Sequence, residues 1–218
     1  ALGVAIHHCL NQQDVFCPYY RDHAALWLRG WPLESILLYW RGSELSQQHF
    51  ASQHDLPICI PIATQCAHAV GAAYVQKLKG SDHVTLVSLG DGATSKGDFY
   101  ESLNFAATKS LSVIFLINNN QWAISLPSTQ QSHCVSFAEK ALAVGAVGMK
   151  VDGNNIFDLI QCIQHAKTMM KDHKSGPIVI EANTYRLHDH TTCDNALDYR
   201  TDAEVKKAWE NDPIKQTK

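Results

Sequence analysis

Apolar positions along this chain fall into two kinds of run. Short, nearly continuous apolar segments occur at His83–Leu89, Leu111–Ile117, Met149–Val151 and Ile178–Ala182. Between them lie longer stretches whose apolar residues recur three or four apart, the spacing that covers one side of a helix. From Ala63 to Leu78, the residues Ala67, Val70, Gly71, Tyr74 and Leu78 follow this helical spacing. A second stretch opens at Gly97-Asp98 and places Phe99, Leu103 and Ala106 on its inner side; Asp98 and Glu101 offer an acidic first turn and a candidate capping box. A third runs from Ile156 to about Met170. Strands apolar on both sides, alternating with helices, belong to a parallel sheet covered on both faces. The expected fold is therefore α/β, a parallel sheet flanked by helices.

The flanking regions are less regular. Residues 1 to 50 read as mainly helical with polar joints, and Leu33–Trp40 has the apolar density of a buried helix opened by Pro32. Residues 43 to 56 read as a polar surface loop, and Ile58–Ile62, interrupted by Pro61, as at most an edge strand or extended loop. A polar loop is expected at 121–135 around Pro127, a short helix at Ala138–Val144, and a break at Ser175-Gly176-Pro177. Thr201-Asp202-Ala203-Glu204 resembles a capping box. Ala1–Ile6 reads as helix interior without a capping residue, and the last helix has little room before Lys218. The expectation is one domain over 1–218, cut from a longer chain.

A length of 218 residues allows one substantial core. The net charge of −3 comes without a strongly basic stretch, which argues against nucleic acid as a partner. No apolar run reaches the roughly 20 residues that span a bilayer, so a membrane is not expected as a partner. Seven scattered cysteines without C-x-x-C spacing argue against a zinc site or disulfide framework. They fit a reducing compartment (the cytoplasm, or the mitochondrial matrix in a eukaryote), with most of them buried as small apolar residues.

Chemistry concentrates at two strand ends. Gly90-Asp91-Gly92 follows the first long apolar run, and Asn118-Asn119-Asn120 follows the next. Neighbouring parallel strands bring these ends to one edge of the sheet, where α/β proteins bind ligands. A Walker loop does not fit, because no lysine follows a glycine at the required spacing, and a G-x-G-x-x-G fingerprint fails at Ser95. A diphosphate held through a metal does fit: glycines admit the phosphates, backbone amides donate, and Asp91 with Asn120 offers oxygen ligands to Mg²⁺. A plain Asp-Gly turn is the simpler alternative, weakened by the asparagine run at the next strand end.

Gly90-Asp91-Gly92, 26 residues, then Asn119-Asn120 resembles the thiamine diphosphate motif. The wider Gly-Asp-Gly-Ala-Thr-Ser-Lys-Gly-Asp-Phe-Tyr-Glu segment is similar to the alpha subunit of the decarboxylating component of pyruvate and branched-chain 2-oxo acid dehydrogenase complexes. Tyr19–His23, Pro61–Gln65, Thr184–Arg186 and Asp194–Arg200 extend the likeness over nearly the whole chain. The resemblance implies the diphosphate-binding half of a thiamine diphosphate fold. By it, Asp91, Asn120 and the Trp122 carbonyl would bind Mg²⁺; Trp122 stands where the family usually has tyrosine or phenylalanine. Tyr20, Arg21, Gly90, Gly92 and Ala93 would contact the diphosphate, and Ile62 would hold the cofactor bent. His190 would be catalytic beside the thiazolium, with His23 a second candidate among twelve histidines. Thr191 matches a serine that is phosphorylated in mitochondrial members, and Asn118 stands where branched-chain enzymes tend to carry arginine.

None of the seven glutamates matches the one that activates the cofactor. The resemblance implies a beta subunit that supplies it, an alpha2-beta2 heterotetramer, and a lipoyl-bearing acyltransferase that accepts the acyl group. The activity implied is Mg²⁺- and thiamine diphosphate-dependent oxidative decarboxylation of pyruvate or a branched-chain 2-oxo acid. Two alternatives stay open: an acetoin dehydrogenase alpha subunit or another thiamine enzyme such as a transketolase type, and a non-catalytic nucleotide-binding α/β module.

Overall fold

The computed structural model describes residues 1–49, 54–173 and 176–217, without the side chains of 47–49 and 173. The surface loop expected at 43–56 and the break at Ser175-Gly176-Pro177 thus lie partly outside the described residues. Five parallel strands form the sheet: β1 (Val15–Cys17), β2 (Thr85–Gly90), β3 (Val113–Asn119), β6 (Val147–Asp152) and β7 (Ile178–Asn183), in the order β1-β2-β3-β7-β6. The parallel α/β architecture expected from the apolar pattern is the one observed. β1 is new; the first 50 residues hold an edge strand as well as helices, its Val15, Phe16 and Cys17 paired with Thr85, Leu86 and Val87.

Both faces of the sheet are covered because its central strands are apolar on both sides. On one face Phe16, Leu86, Ile114, Leu116 and Ile180 meet α1 (Leu2–Cys9), α2 (His23–Leu28) and α7 (Ile156–His173). On the other, Val87, Leu89, Phe115, Ile117 and Val179 meet α4 (Thr64–Leu78), α5 (Gly97–Thr108) and a 3-10 stretch at Phe137–Val144. Right-handed crossovers explain the division. From β2 the chain steps to β3 through α5 in one direction across the sheet, and from β6 it steps to β7 through α7 in the opposite direction, so the two helices land on opposite faces.

Several expectations need correction. α3 (Leu33–Trp40) forms where predicted but is not a buried helix: Leu33, Leu37 and Trp40 are all more than half exposed. α5 starts at Gly97 without a side-chain cap, so Asp98 lies inside the first turn, near Lys96 at 3.5 Å, and no capping box forms there. The box at Thr201 does form in part, its side chain accepting from the Glu204 amide at 3.3 Å at the head of α8 (Asp202–Trp209). The segment read as a plain loop at 121–135 contains a two-stranded hairpin, β4 (Trp122–Ala123) with β5 (Leu126–Pro127), and a short helix α6 (Ser128–Gln131). Ile58–Ile62 joins no strand and passes through a bend at Pro61 into a turn at Ile62. All seven cysteines are free, and three, Cys9, Cys17 and Cys66, are buried.

Candidate cofactor and metal site

Strand register fixes the geometry. Gly90 pairs with Asn118, so Asp91 and Asn120 both lie just beyond the carboxyl ends of adjacent strands. Asp91 opens a 3-10 turn, Asp91–Ser95, that delays the start of α5 and folds the chain over the strand tips. The three asparagines diverge from there. Asn119 turns into the protein and donates to Glu181 at 2.6 Å. Asn118 bridges the Tyr19 hydroxyl at 2.8 Å and the Thr184 hydroxyl at 2.6 Å. Asn120 alone of the three lines a cavity of about 220 Å³ that opens at this edge.

Ten sequence candidates line that cavity: Tyr20, Arg21, Ile62, Gly90, Asp91, Gly92, Ala93, Asn120, Trp122 and His190. They arrive from five separate parts of the chain. His23 is the exception. It heads α2 outside the cavity lining, and its Nε2 accepts from the Trp40 indole at 2.6 Å.

The cavity's electrostatics centre on Asp91, which is 1% exposed. Burial pushes its carboxyl up to about 6, against the opposing pull of the peptide N–H groups at Asp91, Asn120 and Gly92 and the charge of Arg186. Its Oδ2 is buried with no hydrogen-bond partner. A buried orphan carboxylate oxygen is costly unless a ligand satisfies it. Asn120 and Trp122 line the same cavity; the Asn120 side-chain oxygen accepts from the Trp122 amide at 3.2 Å, and the Trp122 carbonyl takes a long contact of 3.4 Å from Arg186. One carboxylate, one amide oxygen and one peptide oxygen form a hard donor set of the kind Mg²⁺ shares with water and phosphate oxygens. The residues present therefore fit a cation-bridged diphosphate.

Arg21 and His190 face each other across the mouth. Arg21 Nη2 sits 3.1 Å from His190 Nδ1 and donates to the His190 carbonyl at 2.9 Å. A guanidinium only donates, so Nδ1 must accept and the neutral ring carries its proton on Nε2. Burial first, then the charges of Arg21 and Arg186, hold the ring below its ordinary pKa.

Three residues that shape the site had no role in the sequence reading. Arg186, 6% exposed, gathers the carbonyls of Trp122, Ile124 and His188 and the Tyr199 hydroxyl. Gln131 holds the Asp91 carbonyl at 2.7 Å. Ile124 lines the cavity with a left-handed backbone, φ +57°. The Thr184-Tyr185-Arg186 segment was a signal for the first; spacing gave none for the others.

A parallel α/β sheet whose carboxyl edge gathers an orphan carboxylate, two further oxygen donors and backbone amides defines a protein of the kind that takes anionic ligands there. The chain belongs to the Dehydrogenase E1 component family, whose model matches residues 1–218. It is 40% identical over 214 residues to the 3-methyl-2-oxobutanoate dehydrogenase subunit alpha of Mycobacterium tuberculosis, covering 98% of this chain and 58% of that protein. It is 37% identical over 216 residues to the pyruvate dehydrogenase E1 component subunit alpha of Mycoplasma genitalium, covering 99% of this chain and 60% of that one. The chain thus spans about three-fifths of the length of these curated relatives. The fold is similar, at a TM-score of 0.58 and 14% identity, to a Mycobacterium smegmatis crystal structure described as a candidate thiamin diphosphate-dependent enzyme, over 85% of this chain and 31% of that one.

Proposed function

We propose that this chain forms the diphosphate- and metal-binding side of a thiamine diphosphate site in a 2-oxo acid dehydrogenase, as its alpha-type subunit. The observation that carries the reading is the orphan Oδ2 of Asp91, buried at the strand tips in a residue that lines one cavity with Asn120 and Trp122. Asp91, Asn120 and the Trp122 carbonyl would hold Mg²⁺, and the amides of Gly92 and Ala93 would meet the diphosphate. Tyr20 and Arg21 add donors at the mouth, where the forked guanidinium suits phosphate. Ile62, 42% exposed at the cavity, offers an apolar support for the bent cofactor. When bound, thiamine diphosphate supplies the carbanion chemistry that removes CO₂ from a 2-oxo acid and passes the acyl group to a lipoyl carrier. His190, with its proton on Nε2, would donate to the 2-oxo oxygen as charge develops there.

No glutamate lines the cavity among the described residues. Glu181, the most buried of those described, is taken by Asn119, by the Ser136 hydroxyl and by the Ala138 amide at 3.3 Å. The activating glutamate is therefore assigned to a beta-type partner, in an alpha2-beta2 assembly that feeds a lipoyl acyltransferase. The names of the relatives favour pyruvate and 3-methyl-2-oxobutanoate as the substrates to test. The test is decarboxylation of the two acids in competition by the protein paired with its beta-type subunit. Activity should require the partner, and Asp91→Ala should abolish Mg²⁺-dependent thiamine diphosphate binding. Unchanged cofactor affinity in that variant would overturn the reading.

A further inference from the structure

Gln131 ends α6, on the segment that continues from the β4–β5 hairpin. Its Nε2 donates to the Asp91 carbonyl at 2.7 Å and to the Ser95 hydroxyl oxygen at 3.2 Å. A peptide carbonyl can only accept, so the amide's NH₂ end must face it. The same carbonyl takes the Thr94 hydroxyl at 2.8 Å. The Asp91–Ser95 turn is thus tied from within and, at two points, by Gln131 from outside. Gln131 Oε1 is buried without a partner and lies 3.9 Å from where a Cβ on Gly92 would stand. On its other side the hairpin is gripped by Arg186, which reaches the Trp122 and Ile124 carbonyls at 3.4 and 2.9 Å. The hairpin that presents the Trp122 oxygen is therefore held by Arg186 on one side and, through the adjoining α6, by Gln131 on the other, where Ala123 also packs directly against Gly92.

We propose that Gln131 is a positioning residue that sets the separation of the Asp91 turn and the Trp122 hairpin, and through it the affinity of the site for a divalent cation. The inference rests on the reading of this cavity as a Mg²⁺ and thiamine diphosphate site. Gln131 hydrogen-bonds the main chain of Asp91 and is joined by the chain, through α6 and β5, to β4, which carries Trp122. Without it the Asp91 carbonyl keeps only partners from within its own 3-10 turn, among them the Thr94 hydroxyl, and the hairpin can drift relative to the turn. Mg²⁺ demands near-ideal octahedral geometry at short distances, whereas Ca²⁺ accepts longer and less regular coordination. Loss of Gln131 should therefore penalise Mg²⁺ more than Ca²⁺.

The test uses Gln131→Met, which keeps the side-chain length but removes the donor, beside Gln131→Ala, in the full protein assembled with its partner subunit. Mg²⁺ and, separately, Ca²⁺ are titrated by calorimetry at fixed thiamine diphosphate, and melting is recorded without either. Both variants should need about tenfold to a hundredfold more Mg²⁺ for half-saturation. They should lose less for Ca²⁺, recover thiamine diphosphate occupancy at saturating Mg²⁺, and melt like the wild type when cofactor-free. Wild-type half-saturation for Mg²⁺ in the variants overturns the proposal; so does an equal loss for both ions together with a lowered melting temperature, the signature of a merely structural glutamine. A wild-type protein that binds no thiamine diphosphate in Mg²⁺ overturns the underlying reading, and the proposal falls with it.

Discussion

Arg21 grips His190 at two points, the ring nitrogen Nδ1 at 3.1 Å and the backbone carbonyl at 2.9 Å, across 169 residues of sequence. The pair fixes both the tautomer and the charge of the imidazole. Removing the guanidinium removes a like charge, so His190 should titrate higher, closer to the ordinary 6.5 from which it is now lowered. Arg21→Met in the cofactor-free protein should show this as an upward shift of the His190 midpoint in an NMR titration. An unmoved midpoint would mean that burial and Arg186, not Arg21, depress the ring.

Asp22 gives the cofactor-free protein a pH-dependent stability. Burial raises its carboxyl from 3.8 to about 7, against the pull of the Tyr19 N–H and the Ser88 hydroxyl. Between those values the folded chain keeps a proton that the unfolded chain has released. Stability from this group is therefore fully present below pH 3.8, declines as pH rises, and is gone above about 7. Asp91, raised to about 6, acts in the same direction over a narrower range. Asp22→Asn cannot titrate, so the stability difference between wild type and variant should shrink by a few kcal/mol across that window. Urea unfolding at pH 4, 5.5 and 7.5 checks it (round values spanning the window of roughly three units); a difference that stays flat with pH removes Asp22 as the cause.

The two glycines flanking Asp91 answer to different constraints. A Cβ on Gly92 would stand 2.9 Å from the Ala123 Cβ, whereas one on Gly90 meets nothing within 4 Å. Gly92→Ala must push the hairpin away, at a cost of about 1–3 kcal/mol in stability. Gly90→Ala should leave stability nearly unchanged, yet Gly90 lines the cavity, and its new methyl group would stand where the phosphates approach. Thermal melts and thiamine diphosphate titrations on both variants separate the cases: Gly92→Ala should fail both measurements and Gly90→Ala only the second.

The central unit was legible because each of its layers carries its own signal. β2 and β3 are apolar toward both faces, α5 has a one-sided stripe, and the Gly-Asp-Gly and asparagine runs mark the strand ends that converge on the cavity. β1 was not legible. Three residues are too few to show a period, and its place in the sheet depends on long-range contacts: Asp14 accepts from the Val84 amide at 2.9 Å and pairs with Lys167 at 2.7 Å. α3 misled because apolar density tells that a helix has an apolar side, not that something covers it; Leu37 is 60% exposed. His23 sat in a motif whose neighbours reach the cavity, but the first turn of α2 carries it toward Trp40. The hairpin escaped notice because its positive φ angles, +69° at Gln121 and +57° at Ile124, fall on residues that do not announce turns.

Ile124 is the sharpest of these cases. A β-branched residue in the left-handed region is strained by about 1–3 kcal/mol. Here the conformation directs the Ile124 carbonyl to Arg186 at 2.9 Å and sets the side chain at the cavity wall, still 54% exposed. Ile124→Gly relieves the strain and loses little packing, but glycine gives back about 0.5–1 kcal/mol through the freedom of the unfolded chain. Stability should therefore hold or rise by about 1 kcal/mol, within that balance of strain and entropy. Cofactor binding should move the other way, because the apolar wall disappears and the hairpin bearing the Trp122 oxygen loosens. Ile124→Ala, which keeps a Cβ in the strained conformation, should gain less stability and lose less affinity. Melting temperature and thiamine diphosphate affinity measured on the three proteins should thus change in opposite directions; a glycine variant that is less stable and binds as tightly as wild type would show that the strain serves packing and not the site.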